Sequence, residues 1–139
     1  MTLQQDNIAA TQRLFEAFGA GDVPAMLEHV QDDIVIDFYG PSVIPYAGHY
    51  EGRAEARRFF ETVLSSVDIE VFEPMEMLAD ADKVIVTGHL HLIARSNGRA
   101  IDSDFVHVIT LRDQKWSWFR DFMNTAVAAD AFSKAREQG

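Results

Sequence analysis

Cysteine is absent from the 139 residues, so the chain can form no disulfide, no thiolate zinc site and no cysteine nucleophile. Basic residues are scarce: 12 Lys+Arg stand against 22 Asp+Glu, a formal net charge of −10. That balance argues against binding nucleic acid or an anionic membrane through a broad basic face. Long apolar runs are missing too. Aliphatic stretches such as Val84-Ile85-Val86 fall far short of the roughly 18 residues a spanning helix needs. The segment Met1-Thr2-Leu3-Gln4-Gln5-Asp6 has neither a basic n-region nor an apolar h-region, which predicts no signal peptide, no membrane partner and a cytoplasmic location.

What is present suits one packed core. The chain is 47% hydrophobic and 11% aromatic, and one domain over residues 1–139 is expected. At about 150 residues a domain buries roughly 68–70% of its unfolded surface and folds without cross-links.

Ile8, Thr11, Phe15 and Phe18 recur at spacings of three and four, which predicts an amphipathic helix over 6–19, stopped by Gly19-Ala20-Gly21. Asp22 then stands as the N-cap of a short helix with Pro24 in its first turn and Val23, Met26, Leu27 and Val30 on its apolar side. Ile34 to Phe38 reads as a strand. Residues 39–52 hold three glycines and two prolines, which predicts no regular structure. Yet Tyr39, Val43, Ile44, Tyr46 and Tyr50 lie there, so this stretch is expected to fold over something apolar. A helix over 54–67 turns Ala56, Phe59, Phe60, Val63 and Val67 inward. Strands follow over 69–79, 83–95, 99–111 and 116–123, separated by Asp80-Ala81-Asp82, Ser96-Asn97-Gly98 and Arg112-Asp113-Gln114. An alanine-rich helix carrying Phe132 begins near Asn124 or Thr125. Helices followed by an antiparallel meander give an α+β fold: one curved sheet closed on one side by helices.

Strand parity sorts the polar side chains. His89, His91 and Ile93 share a face. A three-residue Ser96-Asn97-Gly98 loop sets Arg95 opposite Arg99, so that His89 faces Phe105 and His91 faces Ser103, with His107 on the same side. Leu90, Leu92, Asp102, Asp104, Val106 and Val108 then fall on the other face. The last strand has two registers. A two-residue Asp113-Gln114 turn puts Trp116, Trp118, Arg120 and Phe122 on the histidine face; a three-residue Arg112-Asp113-Gln114 loop puts Ser117, Phe119, Asp121 and Met123 there.

The order of these segments, with Ile44-Pro45-Tyr46-Ala47-Gly48-His49-Tyr50-Glu51-Gly52-Arg53 and the closing Phe119-Arg120-Asp121-Phe122-Met123-Asn124-Thr125-Ala126, resembles the SnoaL-like group of the nuclear-transport-factor-2-like superfamily. The resemblance implies a cone-shaped α+β barrel, cystatin-like, with a curved mixed or antiparallel sheet wrapped over three N-terminal helices. It also implies a deep apolar pocket and a homodimer through the outer sheet face. Relatives include ketosteroid isomerases, polyketide cyclases, epoxide hydrolases and inert ligand binders. The isomerases' base Asp, Tyr and protonated Asp fall on Phe38, Leu14 and His107, so that machinery is unmatched. Limonene epoxide hydrolase is similar at the last strand: its base Asp falls on Asp121 and its Arg and second Asp fall on His89 and His91. Its water-holding Tyr and Asn fall on Ile36 and Phe38, and its first-helix pocket positions on Phe15 and Phe18. That likeness favours the register with Phe119, Asp121 and Met123 inward.

Asp121 beside His89 and His91 is therefore the expected catalytic group. Such a pair abstracts a proton next to a carbonyl or activates a water, typically contributing about 10²–10⁴-fold. The plainer alternative is that Asp121 pairs with Arg120, Arg112 or a histidine to satisfy a partly buried charge. His89, His91 and His107 are also metal-ligand types, but the relatives bind no metal and no cupin-like acidic residue continues the motif, so no metal or cofactor is expected. Phe15, Phe18, Phe38, Tyr46, Phe105, His107, Phe119 and Met123 are the expected substrate-binding lining for a small lipophilic molecule, and Phe59 is expected to be core. Trp116, Trp118 and Phe122 are expected at the dimer interface. The function expected is an isomerase, cyclase or hydrolase acting on a lipophilic carbonyl or ring substrate, or else a non-catalytic dimeric binding module.

Overall fold

The structure is a computed structural model that describes residues 2–133. Thr2 and Gln5 open the chain with a reciprocal capping box: the Gln5 N–H donates to Thr2 Oγ1 at 3.1 Å and the Thr2 N–H donates to Gln5 Oε1 at 3.0 Å. Helix α1 (Leu3–Gly19) thus starts three residues earlier than its apolar periodicity. Asp22 caps α2 (Val23–Leu27) as expected, accepting from the Ala25 N–H at 3.1 Å. Strand β1 (Val30–Phe38) begins upstream of its β-branched run. After it come β2 (Gly48–Glu51), α3 (Gly52–Ser66), β3 (Val67–Asp80), β4 (Lys83–Ala94), β5 (Ala100–Arg112), β6 (Lys115–Met123) and α4 (Thr125–Ser133).

The described strands form one six-stranded sheet in the order β2-β1-β6-β5-β4-β3, with β1 and β6 parallel and every other pair antiparallel. The three N-terminal helices cover its inner face, α1 against β3 and β4 and α3 against β1. This is the expected α+β cone, with its sheet open between edges β2 and β3. Edge β3 is broken by two register shifts and carries Pro74, Glu70, Glu73 and Glu76, features that discourage another strand from adding to it. No helix of the described residues is long and apolar enough to cross a membrane.

Residues 39–52 are not wholly irregular, because Gly48–Glu51 pairs antiparallel with β1. Before it the chain makes two successive turns, Ile44 N–H to Pro41 C=O at 3.1 Å and Ala47 N–H to Ile44 C=O at 3.1 Å. Ile44, Tyr46 and Tyr50 are buried while Tyr39 and Val43 stay exposed, so the segment does fold over the core.

The β4–β5 register corrects one expectation. His89 pairs with Asp104 and His91 with Asp102, one residue away from the expected alignment. The connecting loop is Arg95–Gly98: Ala94 pairs with Arg99 through an N–H···O=C bond of 2.8 Å, and Gly98 takes the left-handed φ of 77° that closes it. One extra loop residue transfers the whole of β4 to the opposite face. His89 and His91 therefore lie on the outer face with Asp102 and Asp104, whereas Leu90 and Leu92 are buried inward and His107 remains inside.

The β5–β6 hairpin combines both registers weighed from the sequence. Its turn has two residues, Asp113 and Gln114, with φ of 53° and 62°. A bulge at Ser117, whose hydroxyl donates to Thr110 C=O at 3.0 Å, then shifts the pairing by one. Trp116 before the bulge and Phe119, Asp121 and Met123 after it all face inward. Trp116 is 1% exposed and so belongs to the core rather than to a dimer surface; Trp118 and Phe122 remain on the outer face.

Gly88 lets the sheet close tightly over this interior. A Cβ there would stand 2.3 Å from the Glu73 carbonyl oxygen and 2.6 Å from Phe105 Cζ, and the backbone oxygen has no rotamer by which to retreat. Gly88→Ala is expected to destabilise by about 2–3 kcal/mol. Calorimetry should show this as a loss of several degrees in Tm; an unchanged Tm contradicts the close approach.

Candidate functional site

Between the sheet and α1 to α3 lies an interior cavity of about 70 Å³. Its walls come from α1 (Leu14, Phe15, Phe18), α2 (Met26), β1 (Phe38), α3 (Phe59, Phe60, Val63) and the inner faces of β3 to β6. An engineered apolar cavity of roughly 150 Å³ admits benzene, so a ring compound requires side chains here to move. Phe15, Phe18, Val63, Ile69 and Phe72 keep some exposure where α1, α3 and β3 meet, and they are the ones free to give way.

The lining is almost wholly apolar, with one histidine–aspartate pair set into it. His107 on β5 and Asp121 on β6 are direct cross-strand partners on the inner face, and His107 Nε2 lies 3.2 Å from Asp121 Oδ1. Both are shielded, with side chains 6% and 17% exposed. The His107 ring is packed among Phe105 (4.4 Å between centroids), Phe119 (4.8 Å), Phe15 (5.7 Å) and Phe72 (6.1 Å). Water is displaced from the pair by these rings, which strengthens its electrostatics. His107 Nδ1 is buried and has no hydrogen-bond partner.

Tyr46 supplies the third polar group. Its ring is 3% exposed and stands edge-on to Phe38 at 5.0 Å and to Phe132 at 5.9 Å. Its backbone C=O accepts the Tyr50 hydroxyl at 3.0 Å. Its own hydroxyl is buried without a partner. Burial first, and then the Asp121 carboxylate, push the Tyr46 phenol well above its ordinary pKa, so it stays protonated. An unsatisfied buried hydroxyl costs about 1–3 kcal/mol, which marks the site as built for something other than stability alone.

Of the expected lining, Phe15, Phe18, Phe38, Tyr46, His107, Phe119 and Met123 meet at the cavity with Asp121. Phe105 does not line it; that ring lies over Gly88, stacked on Phe72 at 4.9 Å. Phe59, expected as plain core, is buried and also reaches the wall. Leu90, Leu92 and Trp116 were hidden from the sequence by the loop length and the bulge. Met26 was expected on the apolar side of its short helix, whereas Leu14 entered the sequence reading only as the position of the isomerases' Tyr.

His89 and His91 do not meet Asp121. Outside the cone, His89 Nδ1 lies 2.9 Å from Asp104 Oδ1 and His89 Nε2 lies 2.8 Å from Asp102 Oδ1, while His91 Nδ1 lies 3.1 Å from Asp102 Oδ1. The two carboxylates, Asp104 foremost, raise the His89 pKa, and His91 and His89 lower that of Asp102. Among the described residues no group of three or more His, Asp or Glu side chains is arranged to hold a metal ion.

Farther along the outer face, His49 sits between Glu51 (2.9 Å) and Asp37 (2.5 Å), and Asp37 also accepts from Trp118 Nε1 at 3.0 Å. Hydrogen bonds to Glu51 and Asp37 raise the His49 pKa from 6.5 to about 9. A raised folded-state pKa means this contribution to stability is complete below pH 6.5 and lost as pH rises through about 9. NMR titration of the His49 ring should place its midpoint well above an ordinary histidine's, and Asp37→Asn should bring it down. A midpoint near 6.5 contradicts the paired geometry.

Comparison with known proteins agrees with this architecture. Residues 11–119 match the SnoaL-like domain family. An NTF2-like protein from Burkholderia xenovorans LB400 superposes with a TM-score of 0.86 at 28% identity, over 94% of this chain and 98% of the other. TerC, co-crystallised with polyporic acid, superposes at 0.80 with 22% identity over 93% and 99%. A candidate polyketide cyclase from Xanthomonas campestris pv. campestris superposes at 0.80 with 18% identity over 95% and 100%. No curated protein matches the chain. With the family matched over most of its length and its cone in place, the chain belongs to the SnoaL-like family of the nuclear-transport-factor-2-like superfamily.

Proposed function

We propose that the protein binds a small lipophilic carbonyl or ring compound in the aromatic cavity and acts on it as an isomerase, cyclase or hydrolase. Asp121 is the acid/base, and His107 takes the partner role that the sequence suggested for His89 and His91. The observation that carries this reading is the His107–Asp121 pair, set into an otherwise apolar wall. A carboxylate with access to a dry cavity takes a proton from carbon or water when the ligand is held against it. TerC with its polyporic acid and the candidate polyketide cyclase, both of this fold, lend support from ligand chemistry.

The test is a thermal-shift screen against lipophilic ketones, hydroxyquinones, lactones and epoxides, followed by product analysis of each hit. A ligand at 100 times its Kd adds about 2.7 kcal/mol and raises Tm by several degrees. A stabilising ligand that is converted supports the reading. A flat screen across all four classes contradicts it. The second reading, a non-catalytic binding module, draws on the wall itself, where among the described residues only Tyr46, His107 and Asp121 carry titratable groups; binding without conversion selects it.

In either case the outer face is proposed to pair with a second copy through Trp118 and Phe122, each 37% exposed, with Tyr39 stacked on Phe122 at 5.2 Å. Phe122→Glu is expected to convert a dimer into a monomer in sedimentation equilibrium. A wild-type monomer contradicts this.

A further inference from the structure

We propose that the outer sheet face is a pH-controlled self-association surface: two copies pair face to face while His49 and His89 are imidazolium ions, and the carboxylates these rings bridge drive the copies apart once the rings lose that charge. This rests on the dimer reading above and deepens it by naming what regulates the pairing.

On both histidines each ring nitrogen faces a carboxylate. His89 Nδ1 lies 2.9 Å from Asp104 Oδ1 and its Nε2 lies 2.8 Å from Asp102 Oδ1. His49 Nδ1 lies 2.5 Å from Asp37 Oδ1 and its Nε2 lies 2.9 Å from Glu51 Oε1. An ionised carboxylate only accepts, so both nitrogens must donate, and an imidazole does so only when doubly protonated. Each ring is thus a positive clasp between two negative groups. Glu73 on β3 stands opposite His89, and His91 beside it holds Asp102 at 3.1 Å. Around His49, Glu55 on α3 accepts the Glu51 N–H at 2.7 Å, and Arg120 on β6 is the register partner of Asp37. Asp104 first, then Asp102, raise the His89 pKa, and Glu51 with Asp37 raises that of His49 to about 9.

A second copy is the occupant because the face complements itself. Trp118, Phe122 and Val106, each 37% exposed, form a strip on β6 and β5 in the middle of the sheet order. Arg120 lies among them, its guanidinium 4.3 Å over the Trp118 ring and its Nε buried with no hydrogen-bond partner. The His49 clasp flanks the strip on β2 and β1, and the His89 clasp flanks it on β4 and β5. A two-fold pairing lays strip on strip and offers Arg120 the other copy's carboxylates. It also brings like charges together. Asp37, Glu51, Glu73, Glu76, Asp102 and Asp104 stand on this face of a chain whose net charge is −10, and the two imidazolium ions offset two of those six. In the separate chains water and salt screen what remains. An interface removes that screening, so loss of the two protons costs the pair far more than it costs either copy alone.

The test is the dimer dissociation constant, measured by sedimentation equilibrium at about pH 6, 7.5 and 9.5 and one ionic strength, with Tm read alongside to show that the chain stays folded. The constant should rise by about 10–100-fold from the lowest pH to the highest. His49→Gln and His89→Gln each keep a hydrogen-bonding side chain without the charge. Either should weaken the dimer at the lowest pH, and the double variant should lose most of the pH dependence. Asp104→Asn removes a carboxylate whose side chain is 90% exposed and should tighten the dimer at the highest pH, a gain that no folding defect produces. A constant that is the same at all three pH values, or that falls as pH rises, overturns the inference and leaves the dimer reading standing. A slope unchanged in the double variant overturns it too, because the titrating groups then lie elsewhere. A monomer at every pH overturns the dimer reading and this inference with it.

Discussion

Asp121→Asn is expected to lower turnover of the carbonyl substrate by about 10²–10⁴-fold, the usual worth of a positioned general base. Asparagine keeps the size of aspartate, and its amide oxygen still accepts from His107 Nε2, so the cross-strand contact and the cavity shape persist. What disappears is the basic oxygen. The loss should therefore fall on kcat, with ligand affinity and Tm changing little. His89→Gln and His91→Gln provide the contrast. Both side chains bond Asp102 on the outer face, on the far side of the sheet from the cavity, and turnover should be unchanged in each. Steady-state kinetics on the three variants checks this. Full turnover in Asp121→Asn, or a large loss in His89→Gln, contradicts the assignment.

The second large effect is on stability. Trp116→Ala removes a side chain that is 1% exposed, packs on Phe119 at 4.8 Å and on Phe15 at 5.8 Å, and donates to Thr11. Thr11 is itself fixed, its hydroxyl donating to Asn7 C=O at 2.9 Å, so α1 and β6 are tied at this point. Loss of the indole leaves a cavity that its neighbours fill only in part, costing about 3–5 kcal/mol. For a chain of this length that corresponds to a fall of roughly 10–20 °C in Tm. Trp118→Ala, two residues on, trims a half-exposed ring that donates to Asp37 and carries Arg120 at 4.3 Å over its face. In the monomer it should cost under about 1 kcal/mol. Equal losses in the two variants contradict the bulge at Ser117, because without it Trp116 and Trp118 share a face.

That pair of tryptophans shows where the sequence was legible and where it was not. Helices and strands were readable because burial alternates with each element's own period: Thr11, Phe15 and Phe18 at helical spacing, and Val84 and Val86 at strand spacing. The order of elements and the family patterns around Gly48 and Asp121 then specified the cone. Which face a strand residue takes is a question of parity, and parity turns on a single residue. Arg95 belongs to the hairpin loop rather than to β4, and this one step moved His89 and His91 from the cavity to the exterior. The Ser117 bulge has the converse effect, returning Asp121 to the interior that the two-residue turn alone would have denied it. Neither residue carries a local signal, since loop length and bulge are chosen by how the whole sheet packs over the helices. Strand β2 was missed for a related reason: its four residues are extended because β1 offers them a partner, not because Gly48 or His49 favours a strand. Tyr46 was expected at the pocket and lies on the cavity wall, but its missing hydrogen-bond partner is a fact of three dimensions.

The inner cavity, and not the histidine-bearing outer face, is where we propose that the protein meets its ligand. Methionine methyl NMR tests this most directly, because Met26 and Met123 line the cavity while Met75 is 62% exposed on β3. On titration with the ligand found by thermal shift, the Met26 and Met123 signals should move and saturate together while Met75 stays still. Movement confined to Met75, with Met26 and Met123 unchanged at saturation, would contradict the account.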